Sequence, residues 1–279
     1  MVLTFDRPPS LWRLYPRVLV ARKPSRVGEG RSVPRLEGKQ TGVRIDPAHL
    51  AAYRALCGFG DGAVPLTYPH VLASGLHLAM LSSAGFPVRL LGLVHVASRI
   101  EQQGPLPSDA SGALVAWLEG HQDTPRGQTF ELHTEWQVDG AVPWRETMTF
   151  LARGPRRDGA KAPAERPASR APDAQHTFDA PADVGRRYGV HAGDVNPIHL
   201  WATTARLFGF PRAIAHGMWS LARCLSLLPA EELRGLEVQF KLPVLLPATL
   251  VLERRGDDFT LLDGAREKPH LAGRLVRAH

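Results

Sequence analysis

Two long apolar segments stand in corresponding places in the two halves of the chain. Residues 71–83 are apolar nearly all round, and residues 214–228 repeat apolar side chains at helical spacing. An all-round apolar helix is typical of a buried position, and helical spacing of apolar residues indicates a buried face. The pattern therefore predicts two core helices, one in each half.

Runs typical of β-strands follow each predicted core helix. The first set is 89–101, 111–119, 128–138 and 144–152, and the second is 236–242, 248–254, 259–263 and 270–277. Asp139-Gly140 is a hairpin turn signal, and Gly256 to Asp258 predicts another turn. A buried helix followed by antiparallel strands is an α+β pattern, and here the element order occurs twice.

Shorter elements are predicted from capping residues and composition. Asp46-Pro47 predicts the start of a helix over 48–57 that Gly58 ends, and a second helix is predicted over 200–208. Residues 1–40 are rich in Pro, Arg and Gly, so we expect them to be extended or loose, apart from an apolar stretch that could dock.

Residues 153–175 are rich in Pro, Ala and Arg and contain almost no large apolar side chains. Such a segment cannot offset its ordering entropy by burial. We therefore predict a mobile linker over 153–175 between an N-terminal domain, 1–152, and a C-terminal domain, 176–279.

The composition indicates a globular protein with a substantial core. The chain has 279 residues, of which 44% are hydrophobic, and no apolar run is long enough to span a membrane. We find no secretory signal, and the two cysteines, Cys57 and Cys224, lie in apolar helical contexts. We therefore expect buried, reduced thiols and a cytoplasmic location.

The net charge of +7 favours anionic partners. The arginines are scattered and form no dense basic helix, so no nucleic acid partner is expected. The excess charge is explained either by a solvated surface with a charged linker, or by attraction to a phosphate-bearing acyl carrier.

The candidate chemistry is concentrated between Tyr188 and Met218. Asp194 and His199 stand five residues apart across an Asn196-Pro197 step. Proline disfavours a helical conformation in the residue before it, so we expect a site loop with Asn196 as helix cap and Pro197 as first helical residue. Gly217 is expected at the start of the second core helix, where its backbone N–H faces a substrate at the positive end of the helix dipole.

Other sites are poorly supported. The chain has 12 histidines, so a single histidine carries little information, and His191 is expected at a strand or loop edge. Cys-x-x-Cys and His-Glu-x-x-His motifs are absent from the sequence, as are the glycine-rich phosphate loops. No metal or nucleotide cofactor is therefore expected.

The motif residues resemble those of the MaoC-like (R-specific) enoyl-CoA hydratases and dehydratases. The matching sequence runs Ala192-Gly-Asp-Val-Asn-Pro-Ile-His199, then Gly209-Phe210, then Ala215-His-Gly-Met218. Ala192 departs from the pattern, because many members have a small hydroxyl residue there. The resemblance implies a double hotdog, in which each half is a curved antiparallel sheet wrapped on a central helix and the N-terminal half is non-catalytic.

The resemblance also implies a function: (R)-specific hydration of trans-2-enoyl thioesters, or the reverse dehydration, in fatty-acid or related acyl metabolism. Asp194 would be the base, His199 its partner that handles the second proton, and Asn196 the residue that orients the loop or the water. Gly217 would be the oxyanion donor, with His216 and Met218 beside the substrate. The substrate would be an acyl-CoA or acyl-carrier-protein thioester. No cofactor and no membrane partner are expected, and a homodimer is possible.

Two other functions stay open from the residues. A hotdog thioesterase would use a similar sheet with a carboxylate placed for thioester hydrolysis, and the Asp-x-Asn-Pro-x-His loop argues against it. A non-catalytic acyl-binding module is disfavoured by the presence of both Asp194 and His199.

Overall fold

The computed structural model of the protein describes residues 1–9, 14, 15, 18, 22–154 and 171–278. The helices with full bounds in these ranges are α1 Pro47–Cys57, α2 Tyr68–Ser82, α3 Val184–Ala192, α4 Pro197–Leu200, α5 Ala202–Arg206 and α6 Gly217–Leu225. The strands are β1 Val2–Phe5, β2 Leu36–Arg44, β3 Leu93–Gln102, β4 Ser111–Leu118, β5 Gln122–Thr124, β6 Gly127–Val138, β7 Ala141–Arg153, β8 Ala174–Ala180, β9 Leu233–Phe240, β10 Ala248–Arg255, β11 Asp258–Asp263 and β12 Pro269–Arg277.

All of these strands belong to one sheet that the two halves of the chain build together. The strand order is β1-β2-β4-β6-β7-β3-β9-β12-β11-β10-β8, with β5 beside β6. The halves join where β3 pairs antiparallel with β9, from Ala97 opposite Gln239 to Glu101 opposite Gly235. Apart from the parallel pair β1–β2, neighbouring strands are antiparallel, and the backbone ladder continues across the junction.

A buried helix lies against the sheet in each half, as the sequence predicts. In the N-terminal half, Leu76 and Met80 of α2 are fully buried, and a Cβ on Gly38 of β2 would lie 2.6 Å from the Met80 sulfur. In the C-terminal half, Leu221 and Cys224 of α6 are fully buried. This arrangement is the double hotdog, so the predicted fold class is confirmed.

Helix contacts join the two halves as well as the sheet. The His49 ring of α1 stacks on His191 of α3 at 3.8 Å between centroids, and its Nε2–H donates to the His191 carbonyl at 3.1 Å. The Trp219 indole of α6 donates to the Leu56 carbonyl at 3.3 Å. Apolar residues of both halves form one continuous buried cluster.

Three predictions in the C-terminal half were wrong: the bounds of two helices and the place of His191. The core helix α6 begins only at Gly217, because Ile214 forms a β-bridge with Leu245 instead. The helix predicted over 200–208 is two short helices, since Pro197 starts α4 early and Trp201 is extended (φ −144°, ψ 155°). His191 lies inside helix α3 and not at a strand or loop edge.

Two described parts of the N-terminal region are regular strands, although its composition predicted an extended or loose chain. Residues 2–5 and 36–44 form strands β1 and β2, which pair in parallel at one end of the sheet. Of the predicted linker over 153–175, residues 155–170 lie outside the described residues, and its ends belong to β7 and β8. Both cysteines are buried free thiols, as the sequence predicts, and burial raises the pKa of Cys57 to about 12.

No described helix is long and apolar enough to cross a membrane.

Candidate active site

The loop that carries Asp194 is fixed from both sides. Helix α3 ends at Gly193, which has a left-handed conformation (φ 75°). The next turn is closed by the Asn196 N–H, which donates to Asp194 Oδ1 at 3.3 Å, while the Asn196 side chain accepts from the Ile198 N–H at 3.4 Å and caps α4. The predicted cap role of Asn196 and the first helical position of Pro197 are therefore confirmed.

Asp194, His199 and His216 meet at one point. One nitrogen or oxygen atom from each of the three lies within 4.8 Å of the others. A Cβ at position 189 would lie 2.6 Å from the Asp194 carbonyl oxygen and 3.3 Å from His216 Cε1. The glycine at this position of α3 therefore allows the loop and the histidine to approach the helix.

Backbone carbonyls determine the tautomers of both histidines. His199 Nδ1 lies 2.8 Å from the Ile214 carbonyl, and His216 Nε2 lies 2.9 Å from the Asp194 carbonyl. A carbonyl only accepts, so each of these nitrogens carries the proton. Burial lowers the pKa of His199. Burial, and the cost of placing a second positive charge beside His199, lower the pKa of His216 to about 3. Both rings are therefore neutral near pH 7, and His199 Nε2 is a free acceptor.

The two oxygens of the Asp194 carboxylate have different surroundings. Oδ1 accepts from the Asn196 N–H and from the Tyr15 hydroxyl, which lies 3.1 Å away, whereas Oδ2 lies 3.7 Å from His216 Nε2. Burial alone raises the pKa of Asp194, but the two imidazoles and these two donors outweigh it and hold that pKa below its ordinary value. Asp194 is thus an ionised carboxylate with Oδ2 as its less occupied oxygen.

Tyr15 is a site residue that the sequence did not indicate. It lies 179 residues before Asp194, in a Pro- and Arg-rich segment with no motif. Leu14 and Val18, its described neighbours, pack on Leu78 and Ala79 of α2 and thereby bring the hydroxyl to the site. A residue of the N-terminal half therefore contacts the predicted base.

The same three side chains are the best candidate for a metal site among the described residues. The rings of His199 and His216 are stacked, with centroids 3.6 Å apart and planes inclined by 26°. Imidazole lone pairs lie in the ring plane, and a metal ion needs both nitrogens at about 2.0 Å. Stacked rings direct their lone pairs side by side and not toward one point, so the arrangement does not fit a two-histidine metal centre.

A cavity of about 500 Å³ opens onto the three side chains. Helix α6 begins at its wall with Gly217 and Met218, and a Cβ on Gly217 would lie 2.9 Å from the Phe240 ring. Predicted residues Asp194, Asn196, His199, His216, Gly217 and Met218 all line this cavity. His191 does not; its ring stacks on His49, and burial lowers its pKa to about 4. The volume is within the usual range for small-molecule sites.

Comparisons with known proteins agree with this fold and motif. Residues 160–261 match the family model of the MaoC like domain. The chain is 37% identical over 237 residues to 3-hydroxyacyl-thioester dehydratase X of Mycobacterium tuberculosis, covering 81% of this chain and 84% of the relative. The crystal structure of HtdX from the same organism superposes with a TM-score of 0.74 at 32% identity, over 87% of this chain and 100% of that one.

A more distant structure shares the fold. The MaoC-like dehydratase of Phytophthora capsici superposes with a TM-score of 0.73 at 17% identity, over 91% of this chain and 98% of that one. The motif, the double hotdog and the extent of the sequence match lead to one assignment, which confirms the predicted resemblance: the chain belongs to the MaoC-like dehydratase family.

Proposed function

We propose that the protein adds water to trans-2-enoyl thioesters to give (R)-3-hydroxyacyl thioesters, and catalyses the reverse dehydration. One observation carries the proposal: Asp194 Oδ2 and His199 Nε2 are two acceptors in one cavity, and neither holds a proton to give. Both residues belong to a cluster in which one nitrogen or oxygen atom of each lies within 4.8 Å of the others, and two acceptors so placed can share a water whose oxygen lies about 2.8 Å from each. Such a water donates both hydrogens and turns a lone pair toward the substrate.

The neutral state of His199 sets the order of proton transfers. As the water oxygen forms a bond to C3, Asp194 or His199 takes one of its protons, and the electrons of the double bond move toward C2 and the thioester oxygen. His199 cannot deliver a proton before it has received one, because its only N–H is bonded to the Ile214 carbonyl. The proton that reaches C2 therefore originates from the attacking water and passes through the Asp194–His199 pair.

The start of helix α6 is suited to the charge that develops on the thioester oxygen. The first N–H groups of a helix have no partner within it and lie at the positive end of its dipole. Gly217 is the first residue of α6, lines the cavity and directly follows His216. We assign its N–H as the oxyanion donor, while the His216 side chain holds the Asp194 carbonyl.

Tyr15 is assigned a positioning role. Its hydroxyl and the Asn196 N–H both donate to Oδ1, which leaves Oδ2 to accept from the water. A carboxylate held in this way cannot rotate without breaking two hydrogen bonds. The water and C3 therefore meet a base of fixed orientation.

Basic side chains at the cavity support a phosphate-bearing handle on the substrate. Arg126, Arg153 and Lys241 line the cavity and are exposed to solvent. CoA and the acyl-carrier arm both carry phosphate, and cationic side chains favour such groups. The arrangement suits either handle.

A crotonyl-CoA assay tests the proposal against a thioesterase and an acyl-binding module. Hydration removes the conjugated enoyl absorbance without releasing a thiol, hydrolysis releases free CoA, and a binding protein does neither. We expect loss of the enoyl band, no thiol release and a rate unaffected by a chelator. Thiol release at the rate of substrate loss would favour hydrolysis, and no change in either signal would leave only binding.

A further inference from the structure

The cavity has a second polar wall, contributed by the N-terminal half, that the hydration chemistry does not use. His70 near the start of α2 lies 2.8 Å through Nδ1 from Oε2 of Glu146 on β7. Ser98 on β3 donates to Oε1 of the same carboxylate at 2.6 Å. The Glu146 side chain is completely buried, and His70 lines the same cavity as Asp194.

The contact between His70 and Glu146 favours the charged form of both side chains. Burial opposes both charges, but their mutual attraction outweighs it: the pKa of Glu146 falls to about 2, and that of His70 is raised above its ordinary value. Both Glu146 oxygens have donors, and His70 Nδ1 is occupied. Among the described residues no acceptor is found for His70 Nε2, whose N–H is therefore available to a group in the cavity.

His95 adds a second unsatisfied nitrogen. Its Nε2 is buried and has no hydrogen-bond partner among the described residues. The ring lies nearly parallel to that of His70, with centroids 6.4 Å apart, and burial lowers the pKa of His95 to about 4, so it is neutral. A buried polar atom without a partner costs free energy that a ligand can recover.

The position of this wall indicates which part of a substrate reaches it. Phe240 contacts the Gly217 position and packs on His95 at 4.9 Å between ring centroids, so one aromatic ring connects the oxyanion site to the polar wall. The carrier arm of a thioester must lead out to solvent, whereas Glu146 is fully buried. The acyl chain is therefore the part that extends toward His70.

We propose that His70 and His95 bind a hydroxyl group on the acyl chain beyond C3, so that the substrates are oxygenated and not simple alkyl thioesters. The inference rests on the proposed hydration function and adds the substrate class. A hydroxyl both accepts and donates, so it can accept from His70 and satisfy His95 in either neutral tautomer. The His70–Glu146 pair has no net charge, which suits a neutral hydroxyl better than a carboxylate.

The test compares trans-2-octenoyl-CoA with derivatives that carry one hydroxyl at each carbon from C5 to C8. We expect one derivative to exceed the unsubstituted parent by about tenfold or more in kcat/KM, because a site built to bond a hydroxyl rejects the analogue that lacks it. In the double variant His70→Leu/Glu146→Leu that preference should disappear, so that the parent and the best derivative have similar kcat/KM values. Replacing a buried ion pair by apolar residues is often tolerated by the fold.

Two further variants keep the test decisive. Glu146→Gln preserves the shape of the pair but removes the charge on His70, and it should reduce the preference even if the double variant fails to fold. His133→Leu, on strand β6 outside the cavity, should leave the preference unchanged.

Equal hydration of all octenoyl substrates by the wild type would overturn this inference alone. A loss shared equally by all substrates in the variants would assign the pair to the carrier arm or to folding, and would also overturn it. Failure to hydrate crotonyl-CoA as well would instead reject the proposed hydration.

Discussion

At the scale of single residues, the site depends on which lone pairs remain free. The Ile214 carbonyl takes the His199 Nδ1 proton, and the Asp194 carbonyl takes that of His216. Tyr15 and Asn196 occupy Asp194 Oδ1. The sequence motif and the family resemblance predicted Asp194 and His199, because the motif is a local pattern that can be read along the chain. They could not predict Tyr15, whose contact exists only once the N-terminal segment packs on α2.

Tyr15→Phe should move the acid limb of the pH–rate profile upward. The Tyr15 hydrogen bond helps to lower the pKa of Asp194, so its loss raises that pKa toward the ordinary value. Since the ionised carboxylate is the active form, kcat/KM should then begin to fall at a higher pH than in the wild type. A hydrogen bond to a charged group contributes about 1.5–3 kcal/mol, and its loss frees the carboxylate to rotate, so kcat should also fall by about tenfold or more.

The matched control is Tyr53→Phe, which removes a buried hydroxyl bonded to Thr67 Oγ1 at 2.8 Å and lies outside the cavity. It should leave the acid limb in place. An acid limb unchanged in Tyr15→Phe, with wild-type kcat, would show that the phenol is only a packing residue.

At the scale of elements, the start of α6 decides the site. Its apolar spacing predicted a helix from Ile214, but the backbone of 213–215 instead bonds to 198 and 244–246. This exchange of helical for strand-like bonding places the free N–H groups at Gly217. Helical periodicity reports which face is buried and not where the hydrogen bonding begins, so the error was in the boundary and not in the element.

Gly217→Ala should lower kcat by about tenfold or more through displacement of the helix start. The new Cβ would lie 2.9 Å from two atoms of the Phe240 ring, which is closer than real contacts. Alanine favours helix more than glycine does, so helix stability itself should not fall. Adding Phe240→Leu should relieve the clash and recover part of the loss. Wild-type kcat in Gly217→Ala would argue against this N–H as the oxyanion donor.

At the scale of the whole molecule, the two halves form one sheet and one apolar cluster. The repeated element order in the sequence predicted two similar halves, and the family resemblance predicted their joining. Local patterns could not predict the β3–β9 register or the His49–His191 contact, because both depend on packing between distant segments. The domain bounds and the linker over 153–175 stay predictions.

Residues 176–279 expressed alone should be insoluble or should self-associate. Their separation exposes the β9 edge that β3 normally pairs, together with the faces of α3 and α6 that contact α1. The fragment also lacks Tyr15, so activity should be low even in soluble material. Size-exclusion chromatography beside the full chain measures this. A soluble, monomeric and fully active fragment would show that the N-terminal half is dispensable.

The most direct test of the central claim is the rate of crotonyl-CoA hydration by Asp194→Asn, compared with His199→Ala, the double variant and His191→Ala. A general acid–base group contributes about 10²–10⁴-fold, so each of the first two should lose roughly that factor in kcat while keeping the wild-type circular dichroism. The double variant should lose little more, because both residues act on one water. His191→Ala, whose ring stacks on His49 away from the cavity, should stay close to wild type. Near-normal hydration by Asp194→Asn, with activity abolished in His191→Ala, would contradict the mechanism.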